Sequence, residues 1–208
     1  MGKVKIKKSE VWIDMTPMSD VMVLLLTFFM LTSTFVKNEP VKVVTPGSVS
    51  EVKVPENNVL NILVNPSGKI FMSMDKVTDL EAAMTDMTDK FGVSLTGAQI
   101  KAFREDAMFG APMDQLASYL NISKEKKGEA LALLGIPTDS LQQADGKKGK
   151  SEFQEWITAA KAANPDLKLA IKADEKTPYK VIKNVMSELQ DMSENRFQLI
   201  TSYKKTED

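Results

Sequence analysis

The chain has 208 residues, 27 Lys+Arg against 28 Asp+Glu, a net charge of −1, and neither Cys nor His. There is no basic excess of the kind nucleic acid requires, no disulfide framework or thiolate metal site, and neither the commonest metal ligand nor the commonest general base. Proton chemistry is left to carboxylates, Lys or Tyr, and the length suits a membrane anchor plus one domain.

Residues 1–16 form a tail carrying Lys3, Lys5, Lys7 and Lys8, with Trp12 near its end. The only long apolar run follows, Met18 to Val36. As a helix it measures roughly 28 Å, close to the ~30 Å hydrocarbon core of a bilayer. One transmembrane helix is expected over 17–36, with Thr16 as N-cap and Pro17 at the first helical position. The lysines upstream place the N-terminus in the cytoplasm and all that follows the span outside. A bacterial inner-membrane protein with a periplasmic domain is the natural setting.

Asp20 is the acid of this run. A charge in a lipid-spanning helix is costly, and such residues usually face a partner or water and carry protons or ions. Asp20, Thr27 and Thr34 are spaced by sevens, so they drift only about 20° per heptad and make one seam. Thr16 lies near that seam, and Leu24 and Leu31 also fall close to it. The competing structural explanation is an acid in the first helical turn, stabilised by the macrodipole and by water. Asp14 is a second acid near the same end, and it suits a water-facing position.

Lys37 to Asn57 reads as an extended periplasmic linker with Pro40, Pro46, Gly47 and Pro55. Within it Val41–Val44 suggests a short strand pairing with another chain. Val59–Val64 and Lys69–Ser73 flank Asn65-Pro-Ser-Gly68, which predicts a hairpin. Thr78-x-x-Glu81 predicts a capping box opening a helix. Ser151–Ala163 reads as a helix and Leu167–Ala173 as a strand. Thr177-Pro178 opens a helix with Val181, Val185, Met186 and Leu189 on one face, and Arg196–Ser202 is a last strand. Residues 58–84 and 151–208 thus make a small α+β domain, a sheet with helices on one face.

Residues 85–150 read as an all-helical insertion. Its pieces are Thr96–Phe109, Pro112–Tyr119 and Ser123–Leu134, followed by a polar loop from Gln142 to Lys150. Phe103, Met108, Phe109, Met113, Leu116, Leu120, Leu131 and Leu133 could fill a mini-core. Either a surface decoration that supports the fold or an added partner-binding surface fits such an insertion. Gly149-Lys150-Ser151 is only the tail of a phosphate-binding loop, because Ala144 stands where its first Gly belongs. As an EF-hand loop the same stretch offers Ala144, Gly146 and Lys148 where carboxylates are needed. No GxSxG or HExxH is present. Nothing points to an enzyme, a cofactor or a metal.

The stretch Ile13-Asp14-Met15-Thr16-Pro17-Met18-Ser19-Asp20-Val21 resembles the start of the ExbD/TolR family, whose signature runs x-Thr-Pro-x-x-Asp-Val into its single span. Leu169–Ala173, Asp174, Pro178, Tyr179 and Ile182 resemble that family's periplasmic strand, loop and helix, with its Ala-Asp…Pro-Tyr pattern. The resemblance covers 1–80 and about 150–206, and 85–150 has no counterpart in the pattern. It implies a subunit of a proton-driven inner-membrane motor, working with a multi-span ExbB/TolQ-like partner that encloses two copies of the helix. Asp20 matches the family's proton-carrying acid, and Asp14 stands where many members carry Asn. The motor would energise TonB-dependent outer-membrane transport through a TonB-like periplasmic protein, the ExbD branch being the closer. The alternatives are a TolR-like envelope-maintenance subunit and a bitopic scaffold that binds peptidoglycan or an envelope protein.

Overall fold

A computed structural model describes residues 15–33, 40–48, 57–142 and 148–203. The chain divides into two compact units, Met1–Val36 and Lys37–Asp208.

The first unit contributes helix α1, Thr16–Thr32. Met15, not Thr16, is the N-cap, and it makes no side-chain capping bond. The reason is that Ser19 N already donates to Met15 O at 2.9 Å, which closes the first turn one residue earlier than expected. Pro17 then sits in the first turn, where a missing N–H goes unmissed. The C-terminal end also falls short of the expected span, because Ser33 turns extended (ψ 106°). Thr32-Ser33-Thr34 is a run of residues that weakly favour helix. Among the described residues no helix is long and apolar enough to cross a membrane. Thr34, Val36 and Asp14 lie outside the described residues.

The second unit runs β1 (Gly47–Ser48), β2 (Val59–Val64), β3 (Ile70–Met74), α2 (Val77–Phe91), α3 (Gly97–Glu105), α4 (Met113–Leu120) and α5 (Lys124–Leu133). It continues with β4 (Ser140–Gln142), β5 (Lys148–Ser151), α6 (Glu152–Ala163), β6 (Lys168–Ala173), α7 (Tyr179–Asp191), β7 (Phe197–Ile200) and β8 (Ser202–Tyr203). The main sheet has the order β3-β2-β6-β7. β2 and β3 are antiparallel, whereas β2–β6 and β6–β7 are parallel. Leu60, Ile62 and Val64 stand opposite Leu169, Ile171 and Ala173. The strand period of two puts these six on one face, and all are buried. The predicted hairpin turns at Gly68 (φ +77°), whose N–H donates to Asn65 O at 2.9 Å. Only glycine takes that conformation without strain.

Several local expectations are corrected. α2 starts one residue before Thr78, with Lys76 as N-cap and no side-chain cap, so the predicted capping box does not form. α2 also runs on through Thr85 to Phe91. Capping boxes form instead at Thr96/Gln99 and Ser151/Gln154, each with reciprocal side-chain and backbone bonds. The segment after α2 is not all helical, because β4 and β5 pair antiparallel across what reads as a polar loop. Val41–Val44 is not a strand, and β1 pairs in parallel with β8 of its own chain, Gly47 opposite Ser202. Arg196–Ser202 breaks into β7 and β8 because Ser202 turns its N–H to Pro46 O, 3.0 Å away.

The predicted mini-core is absorbed into the main core. α3 ends at Glu105, not Phe109, because Asp106 is extended. That frees Phe109 to exchange both backbone bonds with Met72, each 2.8 Å. The open edge of β3 is thereby covered, a standard protection against edge-to-edge pairing. Ile136 N adds a bond to Ile70 O at 2.9 Å on the same strand. Behind this bridge the Trp156 ring lies 4.6 Å from Phe109 and stacks on Phe103 at 6.3 Å. Phe103, Met108, Phe109, Met113, Leu116, Leu120 and Leu131 are buried in the same cluster as the sheet residues, but Leu133 is 79% exposed.

Candidate functional site

Two places carry the residues singled out by the sequence. In α1, Asp20 is the one charged side chain. It is the fifth helical residue, and the first turn holds no acid. A macrodipole effect, which fades beyond the first turn, is therefore a weak account of it. Thr27 lies two turns on, and its hydroxyl donates to Leu24 O at 2.9 Å. That self-contained bond satisfies the donor without a partner helix and leaves the oxygen free to accept. Thr16 and Pro17 occupy the first turn, and Ser19 Oγ donates to Met15 O at 3.1 Å. The whole surface of α1 is exposed, with Met18, Val21–Leu26 and Phe28–Leu31 presenting large apolar side chains. A helix apolar on all sides belongs inside a protein or a lipid layer.

The second place is the turn from β6 to α7. Ala173 ends β6 opposite Val64. Asp174 N donates to Val64 O at 3.0 Å, and Thr177 Oγ1 donates to Asn65 O at 3.1 Å. Thr177 therefore ties the turn to the end of β2 instead of capping α7, whose N-cap is Pro178. The Asp174 carboxylate accepts from Lys176 N at 3.0 Å and from Val44 N at 2.9 Å. Glu175 N returns a bond to Val44 O at 2.9 Å. These N–H donors, Lys176 first and Val44 second, hold the Asp174 carboxyl below its usual range against an opposing effect of burial. Tyr179, the last residue of the motif, opens α7 with its side chain 76% exposed.

Two charged clusters escaped the sequence. Glu152 is buried at the start of α6, and its Oε1 accepts from Met113 N at 3.0 Å, capping α4 from another element. Burial pushes its carboxyl up to about 7; the Met113 N–H and the Trp156 indole oppose this, and Asp114 adds to it. The Trp156 Nε1 is buried and makes no hydrogen bond of full geometry among the described residues. The only available signal was the Ser151-x-x-Gln154 box, which places Glu152 where an exposed acid is common. Lys127, also buried, donates to both Asp106 oxygens at 3.0 and 2.8 Å and lies 5.4 Å over the Tyr119 ring. Burial, with Asp106 adding to it, pushes the Tyr119 hydroxyl up. Among the described residues no acidic cluster could hold a metal ion.

The chain thus pairs an apolar helix carrying a single acid with a small mixed α+β domain. The family model described as Biopolymer transport protein ExbD/TolR matches residues 7–127, more than half of the chain, and the chain belongs to that family. The match takes in α1, β2, β3, α2, α3 and α4 and ends inside α5. It therefore enters the segment expected to have no counterpart and stops before the Ala173–Tyr179 turn. No curated protein and no solved structure matches the chain. Membership makes the chain a non-enzymatic subunit of proton-motive-force-linked biopolymer transport. It also implies association with ExbB/TolQ-type and TonB/TolA-type partners in a membrane complex.

Proposed function

We propose that the chain is an ExbD-like subunit of an inner-membrane motor in which Asp20 couples proton flow to TonB-dependent outer-membrane transport. The N-terminal segment that carries α1 is the single membrane anchor of this reading, with the N-terminus cytoplasmic and the α+β domain periplasmic. Two copies of the helix sit within a multi-span ExbB/TolQ-like partner, and the domain acts on a TonB-like protein. The observation that carries this is the placement of one acid, past the first turn, on an exposed helix whose surface is mostly large apolar side chains.

The mechanism follows from the cost of charge in lipid. Ionised Asp20 favours a hydrated or cation-paired orientation, and protonated Asp20 tolerates a drier one. Thr27, one heptad beyond Asp20 in α1, extends the seam. A membrane potential supplies about 2.3 kcal/mol per charge per 100 mV. One or two protons per step can thus break a small set of contacts, and the linker passes the change to the domain.

The test is Asp20→Asn in cells lacking the native copy. Energised uptake should fall to background while membrane insertion and co-purification with the multi-span partner persist. Uptake at the native rate would sink the mechanism. Retained uptake with loss of envelope integrity would point to the TolR-like branch.

A further inference from the structure

The connector that follows the N-terminal unit is seated on the α+β domain along residues 40–48. Pro40 lies against α5, where a Cβ added at Gly128 would stand 3.4 Å from the Pro40 Cβ. Val41 is 6% exposed and belongs to the core cluster. Val44 is gripped on both backbone groups, its N–H by Asp174 Oδ2 and its C=O by Glu175 N, each at 2.9 Å. Ser202 holds the end of the segment, its N–H to Pro46 O at 3.0 Å and its hydroxyl to Thr45 O at 2.9 Å. β1 then adds a two-residue parallel ladder with β8.

This is a small and divided set of contacts. A two-residue ladder is marginal by itself, Val41 is the one fully buried connector side chain with Val43 packed beside the core, and the central grip is two hydrogen bonds on Val44. Segments held this way open at far lower cost than the core they rest on. The strap adds no strand to the sheet beneath, whose order is β3-β2-β6-β7. The α3–α5 segment thereby gains a task beyond covering the β3 edge, since α5 supplies the glycine surface on which Pro40 rests.

We propose that residues 40–48 are a releasable strap, seated on α5 at one end and clasped by the Asp174–Thr177 turn, whose undocking lengthens the tether of the domain. Freed and extended, these nine residues span about 30 Å, enough to let the domain reach a partner that the docked form cannot. The inference rests on the motor reading for the use of that reach, and on geometry alone for the docking.

The chain has no Cys, so an introduced pair is unambiguous. P40C/G128C places two Cβ atoms near the separation a disulfide needs, about 3.5–4.5 Å. The full-length protein should crosslink within one chain, lose energised transport when oxidised and regain it with reductant. Transport by the oxidised form equal to that of the reduced form would overturn the proposal. A spin label at V44C, where the side chain is 66% exposed, reads docking without any assay of transport. Its motion should quicken several-fold on adding D174A, with the far-UV circular dichroism unchanged. Equal motion with and without D174A would also overturn the proposal. Retained transport in Asp20→Asn, with the label still responding to D174A, would refute the motor reading and leave the docked strap standing.

Discussion

Glu152 gives the sharpest quantitative test of the domain. Its carboxyl is held up to about 7 from an ordinary 4.5 because it is buried between the starts of α4 and α6. Between those two pH values the folded chain holds a proton that the unfolded chain has lost, so stability falls as pH rises through this window and levels off above it. A shift of this size is worth at most about 3.4 kcal/mol, and solvent screening of a group near the helix ends reduces it to roughly 2 kcal/mol. Glu152→Gln keeps an oxygen for Met113 N and removes the charge. It should match the native protein near pH 5 and exceed it by roughly 2 kcal/mol at pH 8, a gain of about 4–8 °C in Tm for a domain of this size. Urea unfolding followed by circular dichroism at half-unit steps from pH 5 to 8 would show a flatter profile for the variant. Parallel profiles for the two proteins would refute the assignment of the slope to Glu152. Glu152→Ala should be less stable than Glu152→Gln at every pH, since it leaves the buried Met113 N–H without an acceptor.

At Gly110 a Cβ would overlap the Phe71 ring; Gly110→Ala should cost about 1–3 kcal/mol by overpacking, read from the shift in urea midpoint. Lys127→Met removes the buried ammonium that bonds both Asp106 oxygens and should cost about 2–3 kcal/mol in the same assay, whereas replacing both with apolar residues should recover most of that. The Asp174 carboxyl is held low by the Lys176 and Val44 N–H groups, so its contribution is present above the ordinary Asp range and is lost as pH falls through the depressed value. The protection factor of the Val44 amide should fall at acid pH in the native protein, and in Asp174→Asn that acid-dependent loss should be absent.

What was legible in the sequence followed from local pattern. Asn65-Pro-Ser-Gly68 between two β-rich runs gave the hairpin, and the alternation of Leu167, Leu169 and Ile171 gave β6. Caps were less legible because several residues competed for each role. Thr78 carried the right spacing, yet Lys76 starts α2 and the Thr78 hydroxyl turns to Asp79 Oδ1 at 3.2 Å. β4 and β5 were hidden by polar composition, since Ser140-Leu-Gln and Lys148-Gly-Lys-Ser carry no apolar alternation. Asp20 was legible as an acid at the head of an apolar run, and it stands fifth in α1.

Long-range pairings were the illegible part, and they are what joins the connector and the α3–α5 segment to the sheet. Val44 and Asp174 are 130 positions apart, and no spacing rule links a linker amide to a loop carboxylate. Phe109 reads as the last residue of a helix until Asp106 leaves the helix to meet Lys127, and only then does its backbone reach Met72. The Asp106–Lys127 ion pair thus sits where α3 stops, three residues before the Phe109 bridge that covers the edge of β3. The Lys127→Met variant therefore probes more than a salt bridge. If Asp106 is what holds the end of α3, loss of Lys127 should loosen the Phe109–Met72 bridge as well, and amide exchange at Met72 should quicken together with that at Phe109. Faster exchange confined to α5 would mean that the edge bridge stands on its own.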